Sequence, residues 1–565
     1  MLSDVLVVGA GPVGLTVAVE LRLRGVECRV VDRLPQAAPY AKAVGIQPRT
    51  LEMWERQGHG LLRDVLDRAV PMRGQLVFVN GTQVSRLDMA VPSDVPFGFV
   101  ALPQNITEHL LAERLGRLGG RVERGVELVG FDQDADGVTV RLAGQDGEET
   151  GRFAYLVGAD GAHSRVRAGL GLAFTGEAFS EEYMLGDVEV DWSLPQGYGI
   201  RSMHQTAGRT DDALVCIPLP GVGRYRMSMF APAELATPAN GEVQHGIEAG
   251  RTPGLEHIQA VLDRLAPEPT TAHHLRWSSV FRISHRLVDR YGVGRVFVAG
   301  DAAHIHPPTG AQGMNTGIQD GVNLAWKLAL AVQGDAADGL LASYHAERHP
   351  VGEEVVGRTT RHAREGIEND PEDPTVVVRR EAQLLVNYRD SAIVGGTADG
   401  GTGHGPRPGD RAPDCRGLRR AQVNFSLRLF ELLADPQHAL LLYADETGPT
   451  PDLAEVDDVL TTVTGGRART YLITPDPGLS VAGPPVIVDA AGEFRDTYGA
   501  VGGSGYLVRP DGYLGFRAAP LTATALRRHL ELMFAPAPVP APDAIRPGGV
   551  GGVPPVRALP RSSPP

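Results

Sequence analysis

The sequence predicts a mixed α/β and α+β protein with a parallel-sheet nucleotide-binding domain, an inserted antiparallel sheet and a second α/β domain. Three observations predict this class. Strand, turn and helix patterns recur within the first two thirds of the chain. Alternating apolar and polar residues lie between them, and a further series of strands and helices follows a connector rich in Gly and Pro. The 565 residues have room for two or three domains.

The first strand, turn and helix pattern opens the chain. Residues 5–8 form an apolar strand, the turn reads G-A-G-P-V-G, and a helical pattern follows. The first glycine permits the turn, the second lets backbone approach a pyrophosphate, and the third lets the helix pack on the strand. Residues 28–31 read as the next strand, which ends in an acid placed to bind ribose hydroxyls. An NAD enzyme would satisfy this motif equally well. The candidate residues are Gly9, Gly11, Gly14, Asp32 and Arg33.

Two later segments have the same design. Residues 155–167 read YLVGADGAHSRVR, in which an apolar strand ends in Asp160 and Gly161. Residues 296–327 begin with an apolar strand, pass through Asp301 and a turn rich in Gly and Pro, and end in a helix. A helix N-terminus has unpaired N–H groups and about half a positive charge, so it stabilises an anion. Together the three segments indicate a large charged cofactor.

These segments resemble the fingerprints of the group A flavoprotein aromatic hydroxylases, and most closely their aromatic-polyketide hydroxylase branch. The resemblance implies a p-hydroxybenzoate hydroxylase fold, with a Rossmann-like FAD-binding domain of the glutathione-reductase type. Asp301 would then bind the O3′ hydroxyl of the ribityl chain, Asp160 would hold its loop and nearby pyrophosphate-binding groups, and residues 310–315 would face the pyrimidine edge of the flavin. The other residues that the resemblance places at FAD are Lys42 (where relatives often have Arg), Gln104, Val126, Pro308, Gly310, Gly313, Met314 and Asn315.

Residues 70–100 and 174–284 alternate in the manner of a half-buried antiparallel sheet. We expect this sheet to roof the flavin, with the substrate pocket between them. Tyr225, Met227 and Met229 share one face, which is either pocket lining or plain core. For catalysis the flavin-side loop offers Pro308 and Gly310. His204 and Tyr225 are the polar candidates for handling a phenol proton, although either could be purely structural.

The C-terminal third predicts a strand at residues 438–443, a helix at 453–463, a strand at 468–473, a hairpin around residues 510–512 and a last helix at 521–534. The order resembles thioredoxin. Residues 444–447 read Ala-Asp-Glu-Thr where a redox CxxC would lie, which excludes disulfide exchange, so scaffolding or subunit contact is expected.

The predicted divisions are an FAD-binding domain at 1–174 (with 70–100 contributing to the substrate sheet) and 285–395, a substrate domain at 175–284, a thioredoxin-like domain at 396–535 and a disordered tail at 536–565.

Amino-acid composition limits the classes of partner and ligand that this protein is expected to bind. The formal charge of −14 argues against broad binding to nucleic acid or anionic membranes. Cys28, Cys216 and Cys415 are too few and too scattered for a disulfide framework or a zinc site, so we predict no metal. The sequence has neither a signal-peptide pattern nor an apolar run of membrane-spanning length. A cytoplasmic monomer or homodimer is the expectation.

The resemblance implies an FAD-dependent NAD(P)H:aromatic monooxygenase. NADPH or NADH, as a transient cosubstrate, would reduce FAD, and a flavin C4a-hydroperoxide formed with O2 would hydroxylate a phenolic, polycyclic polyketide or antibiotic. Three alternatives stay open. A Baeyer–Villiger oxygenase or epoxidase would use the same scaffold, a flavin-dependent dehydrogenase would not activate oxygen, and a flavin-binding scaffold would recruit partners without catalysis.

Overall fold

The computed structural model describes residues 3–39, 43–58, 60–235, 252–365, 372–396, 404–420, 425–448 and 451–536. These residues form three eight-stranded sheets and one three-stranded sheet. Two sequence-based predictions lie outside the described residues: the FAD contact of Lys42, and the disordered tail from residue 537 onward.

The first sheet is mostly parallel and is the core of the N-terminal part. In spatial order its main strands are Gly292–Val293, Val296–Val298, Gly147–Gly158, Ser3–Val8, Cys28–Asp32 and Val122–Arg124; Val138–Gly144 and Glu127–Gln133 extend it antiparallel from Gly147–Gly158. The helices of this part are Pro12–Leu23, Pro48–Arg56, Leu61–Leu66, Gln104–Arg117, Arg165–Gly169, Gln312–Gln333, Ala342–Glu365 and Pro374–Glu381. Gly45–Ile46, Val70–Pro71 and Val100–Ala101 form the three-stranded sheet.

Strand register brings the three motif loops together. Val8, at the end of the first strand, pairs with Gly158, and Gly158 pairs with Val298. All three strands run parallel, so the loops that follow them leave the same edge of the sheet. Loops that follow Val8, Gly158 and Val298, each about 140 to 150 residues from the next, therefore lie at one edge of the sheet, as expected for a binding site of an open α/β sheet.

The second sheet is antiparallel except for one pair. Its strands, in spatial order, are His304–Ile305, Ala272–Val288, Phe174–Val190, Arg224–Phe230, Arg209–Pro218, Tyr198–Thr206, Gly74–Val79 and Thr82–Asp88. Tyr198–Thr206 and Gly74–Val79 run parallel. The helix Leu255–Leu265 packs on one face through Ile258, Val261 and Leu262. The other face lies toward the three-stranded sheet, because Ile217 on that face packs against Val44, which directly precedes Gly45–Ile46.

The third sheet lies in the C-terminal part. Its order is Gly395–Gly396, Leu514–Ala518, Gly505–Val508, His438–Tyr443, Ala468–Thr474, Val486–Asp489, Leu418–Arg420 and Ser426–Leu427. The accompanying helices are Leu429–Leu432, Leu453–Thr464, Glu493–Tyr498 and Ala523–Leu530. The last helix is shorter at both ends than the sequence predicted. Within the described residues, no helix combines the length and the apolarity needed to cross a membrane.

Candidate cofactor and substrate site

The glycine-rich turn after the first strand leaves one side open. A Cβ on Gly9, whose φ is +101°, would lie 2.3 Å from the carbonyl oxygen of Ala159, and a Cβ on Gly14 would lie 1.9 Å from that of Gly9. These two positions therefore exclude any side chain. No heavy atom lies within 4 Å of a Cβ built on Gly11. The open side at Gly11 fits the approach of a pyrophosphate to the backbone.

The acid at the end of the second strand organises this turn. Asp32 accepts hydrogen bonds from the N–H of Ala10 (2.8 Å) and of Leu34 (2.9 Å), and its carbonyl accepts the N–H of Val126 (3.1 Å). The carboxylate thus ties the strand end to the glycine turn, while Arg33 is exposed. The contacts of Asp32, Arg33 and Val126 with an adenosine stay predictions.

Gln104 is tied to two neighbours at the start of its helix. Its Oε1 accepts the Ala43 N–H at 3.0 Å and its Nε2 donates to Glu108 at 2.8 Å. The first bond joins the helix Gln104–Arg117 to the segment that leads into Gly45–Ile46. Its predicted contact with the cofactor chain is untested.

Asp160 organises the second motif loop. Its Oδ2 accepts the N–H groups of Arg165 (2.7 Å) and Val166 (3.3 Å), and burial raises the pKa of this carboxyl group. Its Oδ1 is buried and has no hydrogen-bond partner among the described residues. Buried polar atoms are rarely left unpaired, so this oxygen fits a donor from a bound hydroxyl group or water. Beside it, Gly161 adopts a φ of +79°.

The third loop places backbone donors at the start of a long helix. Asp301 is exposed in a short turn, Gly300–Ala302, and Pro308 and Gly310 are also exposed. The chain then turns sharply into the helix Gln312–Gln333, with a positive φ at Gly310 (+69°) and at Ala311 (+55°). The first N–H groups of a helix have no acceptor within it. Those of Gln312, Gly313 and Met314 therefore form an anion-stabilising cradle at the positive end of the helix.

Side chains behind this loop fix its shape. Asn315, predicted at the cofactor, is fully buried: its Oδ1 accepts the Gln47 N–H (2.9 Å) and the Thr50 hydroxyl (2.8 Å), and its Nδ2 donates to the carbonyls of Gly45 (3.0 Å) and Ala311 (2.8 Å). The Asn315 side chain is therefore committed to the protein. Sequence reasoning missed Gln47, because its only local signal is the start of a helix at Pro48.

A buried charged cluster supports the loop from the helix. Asp320 accepts the Gly300 N–H (3.1 Å) and contacts His304 Nε2 (2.8 Å) and Arg348 Nε (2.7 Å). Burial alone would raise the pKa of Asp320, but Arg348 and His304 outweigh it and lower the pKa. His306 lies nearby, and burial lowers its pKa to about 3, so it is neutral at pH 7.

The face of the second sheet opposite the helix Leu255–Leu265 carries a group of half-buried apolar side chains. Tyr183, Phe230 and Phe281 form an aromatic cluster on it, with ring centroids 5.1 and 5.7 Å from Tyr183. Leu185 and Val215 share this face and are also half-buried. The opposite face packs against the helix Leu255–Leu265. An apolar surface left half-open toward the cofactor loops is suited to a flat aromatic ligand.

The structure corrects the prediction that His204 or Tyr225 takes part in catalysis. Tyr225, Met227 and Met229 are buried on the opposite face, in the core shared with the helix Leu255–Leu265. That stripe is therefore plain core. His204 lies on the same face near the end of its strand, is exposed, and contacts Asp211 at 2.6 Å. Both residues are separated from the cofactor loops by the sheet itself.

Comparison with known proteins agrees with this geometry. A family model described as FAD binding domain matches residues 3–359, and one described as aromatic-ring hydroxylase, C-terminal, matches residues 405–537. A 6-methylpretetramide 4-monooxygenase of Streptomyces rimosus is 35% identical over 96% of this chain and 98% of its own. A rifampicin monooxygenase of Streptomyces venezuelae is 41% identical over 68% of this chain and 75% of its own.

Among solved structures, a ternary complex of aklavinone-11 hydroxylase with FAD and aklavinone superimposes with a TM-score of 0.74 at 30% identity, covering 94% of this chain and 98% of that one. The glycine turn, the orphaned Asp160 oxygen and the helix-start donors are suited to the cofactor that this family binds. The chain belongs to the FAD-dependent aromatic-ring hydroxylases and is a flavoprotein monooxygenase.

Proposed function

We propose that this enzyme hydroxylates a phenolic, polycyclic aromatic compound of the polyketide or antibiotic type, using O2 and NAD(P)H. The observation that carries the proposal is the half-buried face of the second sheet, where three aromatic and several aliphatic side chains are not fully packed. We expect this face to cover the flavin. Relatives named for polycyclic substrates, a methylpretetramide and aklavinone, support the substrate class.

FAD, when bound, accepts a hydride from the nicotinamide and transfers one oxygen atom of O2 to the ring, while the second leaves as water. The chain's own residues position and shield this chemistry. The N–H groups of Gln312, Gly313 and Met314 stabilise negative charge on the electron-rich edge of the cofactor. Pro307 and Pro308 form a rigid wall beside it. The aromatic face of the second sheet excludes water and orients the substrate.

The nicotinamide is proposed to visit transiently. No second G-x-G-x-x-G follows the first in the sequence, so a separate domain for NADPH or NADH is not expected. The FAD-binding part, of the glutathione-reductase type, would lie at 1–174 and 285–395, with the substrate domain at 175–284. The enzyme is proposed to act as a monomer or homodimer in the cytoplasm.

The C-terminal part is proposed to be a thioredoxin-like domain with a scaffolding role. Support comes from the strand order Ala468–Thr474, His438–Tyr443, Gly505–Val508 and Leu514–Ala518, with the first two parallel and the last two antiparallel. The chain after His438–Tyr443 lacks the cysteines of a redox motif. Its turn Arg509–Tyr513 instead reaches the N-terminal helices, where Arg49 donates to the Asp511 carbonyl at 2.7 Å.

A screen of phenolic polycycles tests the function. The purified enzyme with FAD is supplied with NADPH and each compound, and NADPH oxidation, O2 consumption and product mass are recorded. We expect stimulated oxidation and a product that has gained one oxygen atom. Phe281→Ala, which removes a ring from the substrate face, should raise KM more than it lowers kcat. Reduction of FAD without O2 uptake or oxygenated product for every phenol would contradict the proposal.

A further inference from the structure

The cofactor loop is anchored from behind by neutral amide side chains. Gln47 Nε2 donates to the Gly310 carbonyl at 2.7 Å and to the Ala311 carbonyl at 3.3 Å. Gln312 Nε2 donates to the same Gly310 carbonyl at 3.0 Å, and Asn315 Nδ2 to that of Ala311 at 2.8 Å. The three amide residues are at most 1% exposed, whereas Gly310 is exposed. The protein side also holds the Glu381 carboxylate, to which Gln312 Nε2 donates at 2.8 Å. The loop thus has a protein side, occupied by three amides and one carboxylate, and an open side.

Peptide geometry links the two sides. In a trans peptide the C=O and the following N–H point in opposite directions. The Ala311 carbonyl is turned toward Gln47 and Asn315, so the N–H of Gln312 points to the open side. A rotation of this peptide would bring a carbonyl oxygen to the open side, where it would repel an electron-rich cofactor. Ala311 is not glycine and has a φ of +55°, a conformation that persists only where its surroundings enforce it.

We propose that Gln47 is a positioning residue for FAD: its amide holds the carbonyls of Gly310 and Ala311 on the protein side, which keeps the helix-start N–H groups aimed at the flavin. The proposed role of Gln47 is carried by its Nε2 and the loop backbone; its buried Oε1 has no hydrogen-bond partner among the described residues. The residue precedes the helix Pro48–Arg56 and is 263 residues from Gly310 in sequence, so it couples that helix to the flavin loop. The inference rests on FAD binding and holds whichever aromatic ring is hydroxylated.

The test compares two matched substitutions, Gln47→Leu and Gln57→Leu. Both glutamines are at most 2% exposed and flank the same helix, but Gln57 donates to Glu20 at 2.7 Å, away from the flavin loop. Three quantities are measured on each full-length protein: the melting temperature without FAD, the FAD dissociation constant from flavin fluorescence, and the midpoint potential of bound FAD.

We expect Gln57→Leu to lower the melting temperature while FAD affinity and potential keep wild-type values. Gln47→Leu should weaken FAD binding roughly tenfold, the order expected for loss of buried hydrogen bonds. It should also shift the potential to more negative values, because reduced flavin carries the greater negative charge. A purely structural role for Gln47 would give two variants alike in all three measurements, and this result would overturn the proposal.

Thr50→Val keeps the proposal testable if Gln47→Leu does not fold. This nearly isosteric change removes only the 2.8 Å bond from Thr50 to Asn315 Oδ1, which orients the second anchor of Ala311. It should weaken FAD binding and make the midpoint potential more negative, as Gln47→Leu does, but each change should be smaller than in Gln47→Leu. Wild-type values of both quantities in Thr50→Val would contradict the inference.

Discussion

The two ends of the helix Gln312–Gln333 are held by different chemistry. Around its first turns amides predominate: Gln383 Nε2 donates to Gln312 Oε1 and to the Thr316 hydroxyl, both at 2.8 Å. Charged groups also contact this end, since Gln312 Nε2 donates to the Glu381 carboxylate (2.8 Å) and Arg348 donates to the Thr316 carbonyl (3.1 Å). Further along, the contacts are full charges: Lys327 Nζ contacts Glu347 at 2.8 Å, and Arg509 contacts the same carboxylate twice at 2.7 Å. The first end opens to the cofactor, and the second is closed against the C-terminal part.

The two ends therefore have different roles: the first orients the peptide groups of the loop, and the second holds the N-terminal and C-terminal parts together. At the first end, neutral amides hold the peptide groups of Gly310 and Ala311, and the buried charges nearby are paired with one another, Glu381 with Arg358 and Asp320 with Arg348. Buried charges, by contrast, make a junction sensitive to the loss of any partner. Burial would raise the pKa of Glu347, but Arg509 and Lys327 outweigh it and lower the pKa. Burial lowers the pKa of Lys327 to about 8 despite Glu347. We therefore expect the charged end to contribute most to holding the two parts of the chain together.

The largest expected effect comes from the charged end. Glu347→Gln leaves Lys327 and Arg509 buried without their carboxylate, so we expect the free energy of unfolding to fall by about 3–5 kcal/mol. Urea denaturation measures it. FAD affinity of the folded fraction should change little, because the flavin loop is anchored elsewhere. The control is Arg63→Met, an exposed residue whose replacement should leave stability unchanged. A loss below about 1 kcal/mol would show that this junction does not depend on charge.

Acid should lower the free energy of unfolding through histidines in both regions, the flavin loop and the C-terminal part. Burial lowers the pKa of His306, near the flavin loop, and of His529, in the C-terminal part, to about 3. The unfolded chain protonates both near pH 6.5, so it binds more protons than the folded chain between about pH 6.5 and 3. Stability is lost as pH falls through this window, by about 1.4 kcal/mol per pH unit for each residue.

Urea denaturation between pH 6.5 and 5.0 measures this slope. His529→Phe, which conserves the stacking on Phe516, should remove its share of the slope and leave the shares of His306 and of His438, whose pKa is also lowered by burial. An unchanged slope in that variant would contradict the assignment of a buried neutral His529.

A substitution at Asp301 tests whether the loop at the first end of the helix binds FAD. Asp301→Ala removes an exposed carboxylate beside the cofactor loop, and we expect FAD affinity to fall roughly tenfold, as for loss of a hydrogen bond to a charged group. The fold should be unchanged by circular dichroism. Asp338→Ala, an exposed acid just beyond the other end of the same helix, is the matched control and should retain FAD fully. Equal retention by both variants would count against the flavin assignment of this loop.

The smallest effect on kcat and KM is expected for a substitution at His204. His204→Ala changes an exposed residue on the packed side of the second sheet, remote from both ends of the helix. We expect kcat and KM for the hydroxylated substrate to stay at wild-type values in steady-state assays of NADPH oxidation. A fall in kcat greater than twofold would reopen a catalytic role for this imidazole.

Much of the site could be predicted because it is local. The turn after residues 5–8, the Asp160 loop and the segment around Asp301 are each a strand, a tight turn and a helix start, and glycine sterics specify such turns within a few residues. The elements His438–Tyr443 and Leu453–Thr464 were predicted to within one residue, because an apolar run and a helical period are also local signals. The choice between the two faces of the second sheet was not predictable, since alternation identifies two faces but not what each one packs against.

The sequence alone determined the motif loops, the family they resemble and the kind of cofactor they bind, because these depend on short-range backbone geometry. Tertiary structure decided that Tyr225 is core and Phe281 lies on the opposite, half-buried face of the sheet, and that Gln47 anchors a loop 263 residues away. Those outcomes depend on strand register and on hydrogen bonds between segments that meet only in the folded chain.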